Sequence, residues 1–420
     1  MKKWIAAIAV LILLAGGLVA GYVVYKRGEA ADVRGSSTEE FVTTEEEEPP
    51  PPPAEDTLGV AWPLFGYGPE RHRVGPSELK PPFRRVWTFR ARQLLEFPPV
   101  IGYGRLYFTN NSGVMFAVNA KTGKRAWKKP VGRCVAATPA VGEHTVFQAF
   151  MNRPPCNNKA KPGRLEGEVI AFATGFGKIR WRTRIGPTES SPLLADGRVY
   201  VGDWRGRVYA LDERTGRVHW TFQGKGRIKG AIAKSGNRLF VGTYDGYLYA
   251  IRASTGTVIW RTRSQDRLGG RGQFYSTPTV AYGRVYIGST DGKVYSFGAT
   301  SGKLRWSHGT GGYVYSSPAV YQERVYAGSF TGDLYCFDAA TGDVLWKYRT
   351  NGPISGSPVV INHVVYVSSL KGRTYALAPR TGKLLWSFRR GAYAAVISDR
   401  RRLYLVGYSR IFALAPRLRG

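Results

Sequence analysis

Eight tryptophans recur along this chain at positions 87, 127, 181, 220, 260, 306, 346 and 386, at spacings of 40, 54, 39, 40, 46, 40 and 40 residues. A period near 40 residues means one small supersecondary unit that buries its faces only against copies of itself. The same phrase leads into most of the tryptophans: TGKRAW (122–127), TGRVHW (215–220), TGTVIW (255–260), SGKLRW (301–306), TGDVLW (341–346) and TGKLLW (381–386), with FGKIRW (176–181) as a variant. Residues 188–223 show one unit. SSPLLAD reads as a first strand with a hairpin turn at Asp196-Gly197, RVYVGD as a second, RVYALD as a third, and RVHWTFQ as a fourth that alternates with period two. Four short strands per ~40 residues are one blade of a β-propeller.

The repeated spelling has physical reasons. Gly216 is placed where the turn between the third and fourth strands needs positive φ, and Asp212 and Thr215 can bond nearby backbone donors. Each tryptophan is expected to fill the wedge between adjacent blades, with its indole N–H on backbone of the next blade. Seven complete units end at Trp127, Trp181, Trp220, Trp260, Trp306, Trp346 and Trp386. Three strands without a tryptophan follow residue 386, and an orphan strand, FRRVWTFR (83–90), precedes the first unit. The expectation is an all-β, eight-bladed propeller of four-stranded blades over 83–420, with the strand of Trp87 completing the last blade and removing a bare sheet edge.

The TGxxxW phrases, the ~40-residue period and the leading WPLFGYGPER (62–71) resemble the pyrroloquinoline-quinone-repeat (quinoprotein-like, BamB-like) β-propellers. The resemblance spans roughly residues 62–420. It implies the propeller fold and two kinds of function, since the family includes quinone-dependent alcohol dehydrogenases and non-catalytic members. The dehydrogenases hold a quinone with Ca²⁺ on acidic and amide oxygens, use an Asp base and carry adjacent cysteines. None of these transfers by motif, because no two of the three cysteines adjoin. No lipid-attachment cysteine accompanies the BamB-like reading either, so outer-membrane assembly is not implied.

Charge and topology bound the partners. The chain has 61 Lys+Arg against 29 Asp+Glu. Residues 1–57 hold five of the former and ten of the latter, which leaves 56 against 19, a net +37, on the remainder. Nucleic acid is the obvious partner for such a body, but Trp4–Tyr25 is 22 residues without a charge, long enough to span a bilayer. We read residues 1–25 as a short tail plus an uncleaved transmembrane helix over 4–25, with a cleaved signal peptide as the alternative. The flanking charges nearly tie, so the large C-terminal part is the argument for placing the body outside, away from nucleic acid. Residues 26–57, with Glu45–Glu48 and Pro49–Pro53, read as a disordered acidic spacer rather than a strap on the basic body. Residues 58–82 are a lead-in to the propeller.

The remaining motifs give few sites. The five histidines have no metal-ligand spacing, no G-x-S-x-G elbow occurs, and the TGK phrases lack the rest of a phosphate loop. No catalytic or metal residue is assigned, and no cofactor is expected unless the quinone-dehydrogenase alternative holds. Cys134 and Cys156 flank the unit that is 14 residues longer than the 40-residue period, and we predict a disulfide between them. Small polar openings (AATP 136–139, SSP 190–192, STP 276–278, SSP 316–318, GSP 356–358) should ring the axis, mainly because blades converge there. Trp204, Arg205, Tyr244, Phe274 and Tyr275 are candidates for a recognition face. The function expected is a membrane-anchored, extracytoplasmic, non-catalytic binding or scaffold module in the cell envelope. Its partner would be an envelope protein or an anionic polymer or lipid. The alternatives are a quinone-dependent oxidoreductase and a ligand-sensing ectodomain.

Overall fold

The structure, a computed structural model, describes residues 16–17, 30–43, 59–156, 166–267, 270–394 and 396–417. Eight antiparallel sheets follow one another around a central axis. Blade 3 shows the pattern: Leu193–Ala195, Arg198–Gly202, Arg207–Asp212 and Val218–Gln223 pair in sequence order from the axis outwards. Blades 1, 2, 4, 5, 6 and 7 repeat this order over residues 100–130, 140–185, 233–263, 279–309, 319–349 and 359–388. Blade 8 takes three strands from residues 397–416 and its outermost from Phe83–Arg90, with Trp87 opposite Ala413. The ring is thus closed by pairing the two ends of the propeller sequence. The unit with the 46-residue spacing contains an extra antiparallel pair of short strands, Asp266–Arg267 with Gly270–Arg271.

The connectivity sorts every loop to one of two faces. Turns between second and third strands and the connections between blades lie on one face, called here the upper face. Turns between first and second and between third and fourth strands lie on the lower face. On the lower face Asp212 Oδ1 accepts from the amides of Arg214 and Thr215 and from the Thr215 hydroxyl, at 3.2, 2.8 and 2.7 Å. The Thr215 hydroxyl in turn pulls the Asp212 carboxyl below its ordinary value.

Seven indoles donate to a carbonyl of the following blade: Trp87 to Ala120, Trp127 to Thr174, Trp181 to Glu213, Trp220 to Ala253, Trp260 to Ala299, Trp306 to Ala339 and Trp346 to Pro379, at 2.9–3.2 Å. Trp386 faces blade 8, where the chain has no turn between third and fourth strands because the termini meet there. Phe83 sits edge-on to it instead, 5.3 Å between ring centres.

The lead-in is more than a leader. Val60–Trp62 adds a fifth strand to blade 1, and Val74–Gly75 pairs in parallel with the innermost strand of blade 7. Between them residues 63–73 run around the axis. The innermost strands offer axis-facing amides at Val141, Lys234, Val280, Val320 and Val360, which donate to the carbonyls of Pro63, Pro69, Glu70, His72 and Arg73 at 2.8–3.1 Å. One segment thereby satisfies edge donors of five blades that would otherwise line an open channel. Arg71 and Arg73 are fully buried within it, and Arg71 Nε reaches Ile232 O at 2.9 Å. Burial pushes the Arg71 guanidinium down to about 9.

Residues 30–43 correct the expectation of a disordered spacer over 26–57. They run as a strap down the outer edge of blade 5, from the upper to the lower face. Val33 pairs with Ser307 through both backbone bonds, at 3.1 and 2.9 Å. Asp32 meets Lys293 at 3.0 Å, Arg34 meets Asp343 at 2.8 Å, and Glu39 and Glu40 both bind Arg305. Buried Arg284 donates to the carbonyls of Ser36 and Glu40 at 2.9 and 2.7 Å. Local charge complementarity with a very basic body explains why this acidic stretch docks. The glutamate and proline runs at 45–53 lie outside the described residues, as does the expected transmembrane helix apart from residues 16 and 17. Among the described residues no helix is long and apolar enough to cross a membrane.

Candidate functional site

The blade connections converge on the upper face around a cavity of about 70 Å³ on the axis. The small polar openings expected at the axis form a partial ring here. The amides of Thr138, Ala231, Thr277 and Ser317 donate to the hydroxyls of Ser191, Thr277, Ser317 and Ser357, at 2.9–3.0 Å. Hydroxyl side chains this short can bond backbone of the neighbouring blade, and bulkier residues would not fit where the blades converge. The serines and threonines therefore have a structural role in addition to lining the cavity.

One charged cluster stands in the cavity wall. Glu189 pairs with Lys229 at 3.2 Å and accepts from the Tyr275 hydroxyl at 3.2 Å. The Lys229 ammonium lies 4.7 Å from the ring centre of Tyr244 and 5.5 Å from those of Tyr275 and Trp204. Arg227 stacks over Trp204 from outside at 5.8 Å. Burial, followed by the Glu189 charge, raises the Tyr275 phenol well above its ordinary value. Burial and Glu189 also raise the carboxyl of Glu96, which lines the same cavity. Chemically the arrangement is an aromatic cage already occupied by the protein's own lysine. A phenol held neutral by burial is a poor base at neutral pH.

The structure brings together Trp204, Tyr244 and Tyr275 of the expected recognition residues. Phe274 is a correction: it is fully buried in the blade 4–blade 5 core, edge-on to Tyr295 and Phe297. In this blade connection Phe274 packs into the sheets while its neighbour Tyr275 turns to the axis and lines the cavity. Arg205 lies exposed in the turn that carries Trp204, where its amide donates to Asp203 Oδ1 at 2.8 Å. Glu96, Glu189 and Lys229 were not singled out by the sequence, for they stand outside the repeat phrase and only the closed ring makes them neighbours. Cys134 and Cys156 are joined by a disulfide, with Cα atoms 5.4 Å apart.

The quinone and Ca²⁺ of the dehydrogenases do not fit these residues. The cavity is far below the roughly 300–1,000 Å³ of small-molecule sites. Among the described residues no group of His, Cys, Asp and Glu is placed to hold a metal ion. The single cystine joins positions 22 residues apart and is not part of the cavity wall.

Comparison with known proteins agrees with the geometry. The family profile described as the beta-propeller of the beta-alanine-activating enzyme matches residues 189–398, half the chain, and that described as outer membrane protein assembly factor BamB matches residues 83–152. The chain belongs to this family of PQQ-repeat, BamB-like β-propellers. Members and relatives differ in what they do. The chain is 28% identical to the serine/threonine-protein kinase AfsK of Streptomyces griseus over 36% of its own length and 19% of the kinase. It is 30% identical to the dehydrogenase subunit of a quinone alcohol dehydrogenase of Gluconacetobacter polyoxogenes over 30% of its length and 19% of that protein. The chain thus matches about a fifth of each of these relatives. BamB from Moraxella catarrhalis superposes with a TM-score of 0.65 at 18% identity, over 80% of this chain and 100% of that one, a likeness of fold alone.

Proposed function

We propose that this family member is a membrane-anchored, extracytoplasmic propeller that binds a protein of the cell envelope along the outer edges of its blades and catalyses no reaction. One observation carries the reading. The outermost strands of blades 4, 6 and 7 begin with exposed apolar pairs, Val258-Ile259, Val344-Leu345 and Leu384-Leu385, each residue 37–48% exposed. In blade 5 the same strand is covered by the strap, and its Trp306 is fully buried where Trp260 and Trp346 are only half-buried. The protein thus carries its own example of an extended segment laid on a blade edge, and the uncovered edges offer the same backbone donors and acceptors to a partner. The axial cavity supports the non-catalytic part, since Glu189 is paired with Lys229 and the space beside them is only about 70 Å³. The Cys134–Cys156 bond supports an oxidising location.

The test is to crosslink the intact protein in membranes, identify its partner, and repeat with Leu345→Glu and Leu385→Glu. The reading expects a defined partner lost in the double variant, which should keep its fold because both side chains are exposed. Crosslinking unchanged by the two charges removes the edge-binding proposal. Dye reduction with an alcohol on addition of quinone and Ca²⁺ would instead establish the oxidoreductase alternative.

A further inference from the structure

The strap has a direction as well as a docking site. Its first described residues, Ala30–Asp32, lie at the upper rim of blade 5. There Lys293 Nζ donates to Ala30 O at 2.6 Å and to Asp32 at 3.0 Å, and the Gly309 amide donates to Asp32 at 3.0 Å. Its last, Phe41–Thr43, lie at the lower rim, with Phe41 against Tyr282 of the turn between first and second strands. The antiparallel bridge between Val33 and Ser307 and the Arg305 pairs to Glu39 and Glu40 hold this direction along the whole blade edge.

The apolar stretch ends at residue 25, five residues before Ala30. Five residues span at most roughly 18 Å even when fully extended. From this we infer that the strap fixes the pose of the propeller on the membrane. The upper face, with the mouth of the axial cavity, is held against the lipid headgroups, and the lower face points away. The inference rests on the anchor reading of residues 4–25 and goes beyond it, because an anchor followed by a loose spacer would leave the propeller free to tumble.

The upper face has the chemistry for that contact. From the end of the strap, Tyr313, Tyr315 and Tyr275 lead ring by ring to the cavity mouth, with centres 5.6 and 5.3 Å apart. Tyr313 and Tyr408 are each 50% exposed, and Phe330 is 38% exposed. Arg92, Lys225, Arg227, Lys371 and Arg390 are exposed in the same set of turns and connections. In those segments the exposed acids among the described residues are Glu166, Asp245 and Asp266, and Asp266 is already paired with Arg263 and Arg271. Amphipathic rings and long cationic side chains suit an anionic headgroup layer. Every partner surface proposed above lies on the blade edges, so the two contacts do not compete.

The full chain is reconstituted in vesicles of phosphatidylcholine and phosphatidylglycerol, with a fluorophore at Tyr313→Cys on the upper face or Arg214→Cys on the lower. Cys336 is buried and the other cysteines are bonded, so the new thiol is the one labelled. A quencher attached to lipid headgroups should quench the label at 313 and leave that at 214 bright. The difference should shrink on phosphatidylcholine alone and should be lost in Arg305→Glu, which detaches the strap while leaving the anchor. Equal quenching at both sites in membrane-bound protein, or a preference that survives Arg305→Glu, overturns the inference while the anchor stands. Release of the protein from the vesicles by alkaline carbonate refutes the anchor itself, and the pose with it.

Discussion

Gly216, in the turn of blade 3, lies against the indole of Trp181 in blade 2, so that a Cβ built on it would come 2.5 Å from Trp181 Cε3. The same relation joins Gly123 to Trp87, Gly177 to Trp127, Gly256 to Trp220, Gly302 to Trp260, Gly342 to Trp306 and Gly382 to Trp346. The glycine in the repeat phrase is therefore demanded twice, by a φ of +73° at Gly216 and by the ring beneath it. Gly216→Ala should cost about 2–4 kcal/mol, the sum of left-handed backbone strain and overpacking. Gly197→Ala has φ +68° but open space, and should cost only about 1 kcal/mol. Thermal unfolding followed by circular dichroism gives both values, and equal losses would show that the indole contact contributes nothing.

Closure of the ring depends on Phe83–Arg90. Trp87 bonds Ala120 O at 3.1 Å across the blade 8–blade 1 wedge and packs on Tyr404 at 5.8 Å. Trp87→Ala should lose about 3–5 kcal/mol and expose the join to proteolysis before the rest of the ring opens. Limited trypsin digestion with mass mapping reports the order. First cleavage inside blades 3–6 would contradict the weak-join account.

The disulfide closes a separation of 22 residues around the inserted loop of blade 2. In the loop-entropy account its removal by Cys156→Ser should cost roughly 3 kcal/mol. Denaturant unfolding of the variant gives the number, and thiol counting of the native denatured protein should find one free thiol, that of Cys336.

The Lys229–Glu189 pair is largely buried, with side chains 18% and 9% exposed. Lys229→Met leaves the Glu189 charge facing Tyr275 and the Glu96 carboxyl and should cost about 3 kcal/mol, with Lys229→Met/Glu189→Gln regaining much of it. A double variant no better than the single would mean the lysine matters for its cage contacts rather than its charge.

Acid should loosen the strap. Burial acts to raise the Glu40 carboxyl, but hydrogen bonds from Ser301 and Arg305 outweigh it and bring Glu40 below its ordinary 4.5. A folded-state value below the unfolded one adds stability that is complete above pH 4.5 and is lost as pH falls through the lower value. Hydrogen exchange of residues 30–43 should therefore accelerate below about pH 4.5 ahead of the blades, and Glu40→Gln should abolish that pH step. Uniform protection of strap and blades down to acid unfolding would remove Glu40 from this role.

The long-range pairing of the strand of Trp87 with the last blade followed from counting, since seven complete units left three strands at one end and one at the other. The period and the four strands of each unit were legible in the chain because they are nearest-neighbour properties. A strand of five residues alternates, a turn needs its glycine, and an indole repeats once per wedge. Trp204 and Tyr244 occupy equivalent turns of successive units, whereas Tyr275 stands in a blade connection and joins them only in the closed ring. Phe274 could not be excluded from the chain alone, because its neighbour Tyr275 shares its aromatic character and only the path of the blade connection separates core from axis.

Local pattern alone therefore determined the propeller itself. What fills and surrounds the ring was decided by tertiary structure. The amides capped by residues 63–73, the cage that Lys229 occupies and the blade edge that takes Glu39 and Glu40 all pair positions far apart in sequence, and none exists until the eight sheets have closed. The physical reason is one of range. Repeat spelling records interactions within a unit and with the next, whereas the axis and the strap answer to unsatisfied donors and charges that appear only when the whole circle has formed.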